Sequence, residues 1–241
     1  MLPLSKQNAY REQYKRQRPH WRTSGEVLEA LTRQHLTPTA RVLDVGCGRG
    51  GVMELFWREV QVSVGLDPDL TSLRERRATF PAVNGLGEAL PFPDSTFDVV
   101  MAMWVLEHLL APERTLVEVS RALKPGGHFL FITPNAHHPL LMANRFSWAF
   151  PAAQRLLVPK LYGRAEADTF RVHYRANTLP RLRALAAAHG FRVASLTAIK
   201  DPTYFAFNDL FFRLSIWLEA SLPNDLGIHL VGALQRLSDI I

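Results

Sequence analysis

Between Val42 and Gly51 the chain reads V-L-D-V-G-C-G-R-G-G, and Asp44, Gly46 and Gly48 within it are spaced to do chemistry together. Glycines at alternate positions let the backbone turn sharply and approach a bound molecule, because no Cβ stands in the way. A carboxylate two residues before the first glycine favours a ligand with a cationic, amino-acid-like end. The same run also satisfies G-x-G-x-x-G through Gly46, Gly48 and Gly51, which would seat a dinucleotide pyrophosphate at a helix start. Asp44 would repel that pyrophosphate. Cys47 is the only cysteine. It reads as a small residue that fits the loop, and with no base beside it a nucleophilic thiol is disfavoured.

Asp67 is the second carboxylate of interest. It ends the β-rich run Gln61–Asp67 about 20 residues after the glycines, where doubly wound folds place an acceptor for ribose hydroxyls. Pro68 blocks strand continuation, and Asp69 or Thr71 is suited to cap the next helix. Further on come Gly85-Leu86-Gly87-Glu88-Ala89-Leu90-Pro91, then Glu107-His108, His137-His138 and His173-Tyr174-Arg175. The histidines are the candidate proton acceptors.

Such residues need a frame. Val42–Val45, Gln61–Asp67, Phe97–Trp104 and His128–Ile132 read as strands, the last preceded by the helix stop and turn Leu123-Lys124-Pro125-Gly126-Gly127. Helical stretches alternate with them, which predicts a parallel sheet with crossovers and ligands beyond the carboxyl ends of its strands. Asp44, Asp67, Gly87 and Met103 all fall there. Ser24 is the expected cap of a helix over Gly25–Gln34. Thr178–His189 reads as a helix stopped by Gly190, and Phe191–Ile199 as a strand. Residues 205–218 read as an apolar helix. Ile228–Ala233 is the candidate last strand, with a helix over Leu230–Ile241 as the alternative.

Taken in order, these motifs resemble the class I S-adenosylmethionine (SAM)-dependent methyltransferases, particularly the methyltransferase type 11 group around the ubiquinone and menaquinone C-methyltransferases. The resemblance covers residues 40–135 and implies an α/β fold. Its core would be a doubly wound, mostly parallel, Rossmann-like sheet of seven strands with a helical N-terminal cap, a lid insertion and an apolar helical tail. It implies one domain: cap 1–38, SAM-binding core 39–135, substrate lid 136–177, and the rest of the sheet with the tail over 178–241. SAM is the implied cofactor, with Asp44, Gly46, Cys47 and Gly48 at its methionine end. Asp67 and Pro68 would hold the ribose, Gly87, Glu88 and Ala89 the adenine, and Met103 would line the site. Leu86 departs from the family, where an acidic residue often binds the adenine amino group. The implied activity is methyl transfer to an oxygen or carbon of a small or lipid-like acceptor. His108, His137 and His173 are candidate bases, although a structural hydrogen bond is the competing role for His108. A non-catalytic SAM-binding scaffold and a nicotinamide-dependent oxidoreductase are the alternatives. A bulky residue at Gly46 is expected to block the ligand and leave the fold intact.

Composition narrows the rest. The 241 residues are 47% apolar, enough for a substantial core. One cysteine excludes an internal disulfide and fits a reducing compartment. The polar N-terminus does not resemble a signal peptide, and a cytoplasmic protein without a membrane span is expected. The net charge of +6 is uneven. Residues 1–41 carry eight basic and three acidic groups, 42–135 eight and twelve, and 136–241 twelve and seven. Without lysine clusters or an RNA-binding module, a solvated arginine-rich surface is favoured over nucleic-acid binding. The aromatic stretch 205–222 suggests peripheral membrane contact. No metal site is expected, and the oligomeric state is left open.

Overall fold

A computed structural model describes residues 4–77, 79–142, 171–204 and 206–238. Most of the expected lid, residues 143–170, lies outside the described residues, as does Phe205.

Seven strands form one sheet: β1 (Arg41–Val45), β2 (Val62–Asp67), β3 (Ala82–Asn84), β4 (Phe97–Met103), β5 (Leu123–Pro134), β6 (Phe191–Ile199) and β7 (His229–Arg236). Their order is β3-β2-β1-β4-β5-β7-β6. Pairing is parallel from β3 to β5, and only β7 runs against its neighbours. All the other strands therefore end on one edge.

The central strands alternate between two buried faces, as a sheet covered on both sides requires. Leu43, Val45, Val100, Ala102, Phe129 and Phe131 point to one face. There they meet Leu116 and Val119 of α4 (Pro112–Ala122) and Leu182 and Leu185 of α5 (Leu179–Ala188). Val42, Val99, Met101 and Leu130 point to the other, against Met53, Phe56 and Phe80. On that side α2 (Ser24–His35) also buries Leu28 against Ile132 and Val231. The remaining helices are α1 (Leu4–Gln17), α3 (Leu70–Arg74) and α6 (Asp209–Ser221).

Several local expectations shift. Thr23, not Ser24, caps α2, through a capping box with Glu26 worth about 1 kcal/mol. Ser24 is buried, and its hydroxyl lies 3.0 Å from His229 Nδ1. Asp69 caps α3 through both carboxylate oxygens. After the glycine turn, only the 3₁₀ segment Val52–Leu55 precedes β2. Residues 123–127 open β5 rather than leading up to it, with a register shift opposite Phe97 and Val99. The C-terminal strand forms in place of the alternative helix, and α6 separates it from β6, so the two do not make a simple hairpin.

α1 docks on α6. The Tyr10 ring lies 4.6 Å from that of Phe212, and its hydroxyl donates to Asp209 Oδ1 at 2.7 Å. The opposite side of α6 exposes Leu210, Phe211, Leu214 and Trp217. No described helix is long and apolar enough to cross a membrane.

Candidate functional site

The glycine turn is pinned to the end of β2. Gly46 and Cys47 both donate to the Leu66 carbonyl, at 2.7 and 3.2 Å. Gly48 N–H donates to Asp67 Oδ2 and Asp69 N–H to Asp67 Oδ1, each at 2.8 Å. Asp67 is thus held by two backbone donors, and each oxygen keeps a lone pair for a ligand hydroxyl. Gly46 sits at φ +72° and Gly48 at φ +48°, the left-handed region that favours glycine. A Cβ on Gly46 would come within 2.3 Å of Val105 Cγ2, so the turn packs directly on the segment that follows β4.

Asp44 lies beneath this turn, 2% exposed. Burial pushes its carboxyl up to about 7; Asp67 adds to the shift and the Arg76 guanidinium opposes it. A buried carboxyl poised near neutrality next to a glycine cradle suits an incoming ammonium group. Burial, reinforced by Asp44, also pushes the Cys47 thiol up to about 12, so it stays protonated and is no nucleophile.

Arg76 is a participant that motif reading missed. It stacks 4.5 Å from the Phe80 ring, donates to the Phe80 carbonyl at 2.8 Å, and bears electrostatically on Asp44. Nothing in its local pattern sets it apart from the adjacent Arg74 and Arg77; only the fold brings it to the carboxylates.

The third motif forms a tight loop closed by Ala89 N–H on the Leu86 carbonyl at 3.1 Å. Gly87 faces Val45 and Thr115. Glu88 Oε1 accepts the Ala111 N–H at 3.3 Å, turning toward the start of α4, and Leu86 is exposed. Pro68 follows Asp67, and its carbonyl accepts from Asn84 Nδ2 at 2.9 Å. Met103 ends β4 and packs with Leu28 and Ile132.

The three candidate bases are not gathered around one point by any contact. His108 Nδ1 lies 2.9 Å from the Arg171 carbonyl, which can only accept, so the ring donates there in a structural role. His173 N–H donates to the Glu107 carbonyl at 2.6 Å, while His137 is exposed just beyond β5. Other ionisable groups on this edge are buried. Burial raises Glu107 to about 7, and its Oε2 accepts the Thr133 hydroxyl at 2.9 Å. His138, His229, Asp201 and Glu219 are all buried. The readable signal was a polar residue inside an apolar run, as in Trp217-Leu218-Glu219 or Ile228-His229-Leu230. Two open clefts, about 320 and 470 Å³, surround Trp21, and neither is lined by a residue of the glycine turn.

Residues 43–131 match a family model described as a methyltransferase domain. A Mycolicibacterium smegmatis protein named as a probable S-adenosylmethionine-dependent methyltransferase is 39% identical over 97 residues, 39% of this chain and 38% of that protein. A demethylmenaquinone methyltransferase of Symbiobacterium thermophilum is 33% identical over 114 residues, 42% of this chain and 45% of that protein. These matches span less than half the length of either relative. Among solved structures, the YcgJ protein of Bacillus subtilis superposes with a TM-score of 0.57 at 17% identity. That superposition covers 88% of this chain and 98% of that one, and shows a shared fold. Residues 43–131 thus match a methyltransferase domain, and the seven-strand order and the likeness to YcgJ show the fold in which that match sits.

Proposed function

We propose that the chain transfers a methyl group from SAM to an oxygen or carbon of a small or lipid-like acceptor. One observation carries this reading: a buried carboxyl, Asp44, under a glycine turn whose Gly48 N–H is tied to a second carboxylate, Asp67. Asp44, Gly46 and Gly48 would hold the methionine end and Asp67 the ribose. Gly87 and the neighbouring backbone would meet the adenine, since Glu88 already accepts from Ala111. Bound SAM supplies a methyl already activated by the sulfonium. The protein's task is then alignment, which can contribute about 7–11 kcal/mol. A dinucleotide fits less well, because only a 3₁₀ segment follows the turn and the buried Asp44 would face its pyrophosphate.

Titration calorimetry with SAM and S-adenosylhomocysteine tests the reading. Micromolar binding of both supports it; a response to NAD(H) alone overturns it. Asp67→Ala removes a charged acceptor and the anchor of Gly48, so SAM affinity should fall by about 1.5–3 kcal/mol, roughly ten- to 150-fold. Unchanged affinity would remove Asp67 from the site. The exposed Leu86 favours a second reading, a SAM-binding scaffold without turnover. Methyl transfer to any acceptor eliminates it.

The same reading assigns residues 1–38 as a cap and 136–177 as an acceptor lid, in a cytoplasmic protein. The exposed stripe Leu210, Phe211, Leu214 and Trp217 would rest on a membrane that delivers a lipid-like acceptor. The chain should co-sediment with anionic liposomes at low salt, and Trp217→Ala with Phe211→Ala should abolish this. A chain that stays in the supernatant contradicts the docking.

A further inference from the structure

The larger of the two clefts around Trp21 has walls from four parts of the fold, and the cofactor reading leaves it without a ligand. The smaller, about 320 Å³, is a crease within one segment, residues 14–21. The larger, about 470 Å³, takes His20, Trp21 and Arg22 from the connection between α1 and α2. Val27 of α2, the end of β6 and Asn224 of the 3₁₀ segment before β7 complete it. Its volume falls within the range of about 300–1,000 Å³ usual for small-molecule sites.

The aromatic wall is held in place. Arg18-Pro19-His20-Trp21 is a turn closed by the Trp21 N–H on the Arg18 carbonyl at 2.9 Å, with Pro19 fixing φ at its second position. The Trp21 indole N–H donates to the Lys200 carbonyl at 2.7 Å, and the ring stands edge-on to Tyr14, centroids 5.0 Å apart. The charge around this ring has one sign. His20, Arg22 and Lys200 line the larger cleft, and no carboxylate does. The Lys200 ammonium is engaged by the Leu222 carbonyl. Arg22 has no ion pair among the described residues, and Glu26, the nearest carboxylate along the chain, is held by Lys15 and Thr23. A guanidinium fork suits the paired oxygens of a carboxylate or phosphate, an indole face suits a planar ring, and a cation is repelled.

We propose that this larger cleft is a second ligand site that takes a small aromatic anion, its ring against Trp21 and its carboxylate or phosphate on Arg22. Thr197 and Asn224 add neutral hydrogen-bonding groups, and Val27, Ala198 and Ile199 an apolar wall. The ligand is not the methyl acceptor. In the sheet order β6 stands three strands from β4 and four from β1, about 14 and 19 Å at the usual strand spacing, so a molecule here lies out of reach of the glycine turn. The inference therefore stands without the methyl-transfer reading.

Phenyl phosphate and benzoate are the probes, with phenol and inorganic phosphate as the separated halves. The full chain, its tryptophan indoles ¹⁵N-labelled and the Trp21 signal assigned from Trp21→Phe, is titrated with each. The Trp21 signal should move saturably with at least one aryl anion, which should bind about tenfold or more tightly than phenol or phosphate. Arg22→Gln should weaken that ligand about tenfold or more. Arg18→Gln removes the same charge from the smaller cleft only and should leave affinity within about twofold. A Trp21 signal unmoved by both aryl anions overturns the site. Equal losses in Arg22→Gln and Arg18→Gln would reduce the binding to the chain's net positive charge and overturn it too. Phosphate binding as tightly as phenyl phosphate would remove the ring from recognition. Displacement of the aryl anion by S-adenosylhomocysteine would overturn its separation from the glycine turn.

Discussion

Asp44→Asn is expected to strengthen the ligand-free fold at pH 8 and to cost at least 100-fold in SAM affinity. The two effects have one origin. Asp44 is buried, and its carboxyl is raised to about 7 from an ordinary value of 3.8. Because the folded value lies above the unfolded one, the unfolded chain releases this proton first. Stability therefore falls as pH rises from about 4 to about 7 and then levels off. Asparagine carries no charge, so the variant should gain roughly 2–4 kcal/mol over the parent at pH 8 and little at pH 4. Glu107 is raised to about 7 in the same way, so Glu107→Gln serves as the reference that separates the two slopes. Binding runs in the opposite direction. An ammonium placed against Asp44 needs the ionised carboxylate, so affinity should climb between pH 6 and 8, with about half a proton released per binding event at pH 7. Removing one partner of a buried pair costs about 3–5 kcal/mol, which sets the expected loss. Calorimetry in two buffers of different ionisation enthalpy reads the proton directly. A pH-independent affinity, or an Asn variant that binds as the parent does, would take Asp44 out of the site.

The sheet was legible where two buried faces write themselves as short apolar runs. Val42–Val45, Phe97–Met103 and Phe191–Ile199 were readable within a residue of their ends, because each is bounded by a turn or a capping residue. β7 was harder. Its run Leu230-Val231-Gly232-Ala233-Leu234 is apolar on both sides, since β5 and β6 flank it and both sheet faces are covered, and such a run has no period to separate strand from helix. The helix caps show the opposite limit. Thr23 and Ser24 are both good caps, and the choice fell to Glu26, which stands three residues after Thr23 and completes the capping box.

The site divides in the same way. Asp44, Gly46, Gly48 and Asp67 lie at consecutive strand ends, so spacing along the chain was enough to place them beside one another. Arg76 reaches Asp44, and His138 reaches Glu219 and His229, only through tertiary packing. Glu219 and His138 are 81 residues apart, and the hydrogen bond between them has no trace in local pattern. His137 and His138 are adjacent in sequence, yet one is exposed and the other fully buried, because the turn that follows β5 sends them to opposite sides.

Gly46→Val separates steric blockade of the ligand from damage to the fold, and the structure revises the expectation that only the ligand would suffer. The atom nearest a Cβ at this position belongs to the protein: Val105 Cγ2, at 2.3 Å. The backbone sits at φ +72°, where a residue with a Cβ costs about 1–2 kcal/mol and a β-branched one more. Gly46→Val should therefore lose roughly 3 kcal/mol or more of stability and all measurable SAM binding. Gly46→Ala should lose about 2 kcal/mol and bind at least 100-fold more weakly. The double variant Gly46→Ala with Val105→Ala distinguishes the causes. Removing the valine methyls relieves the overlap and should restore part of the stability. It leaves the φ strain and the displaced N–H that bonds Leu66, so SAM affinity should stay low. Restoration of parental affinity in the double variant would mean that the turn conformation is unimportant and that Val105 alone controls access. Persistent loss of binding with recovered stability would tie recognition to the backbone of the turn itself.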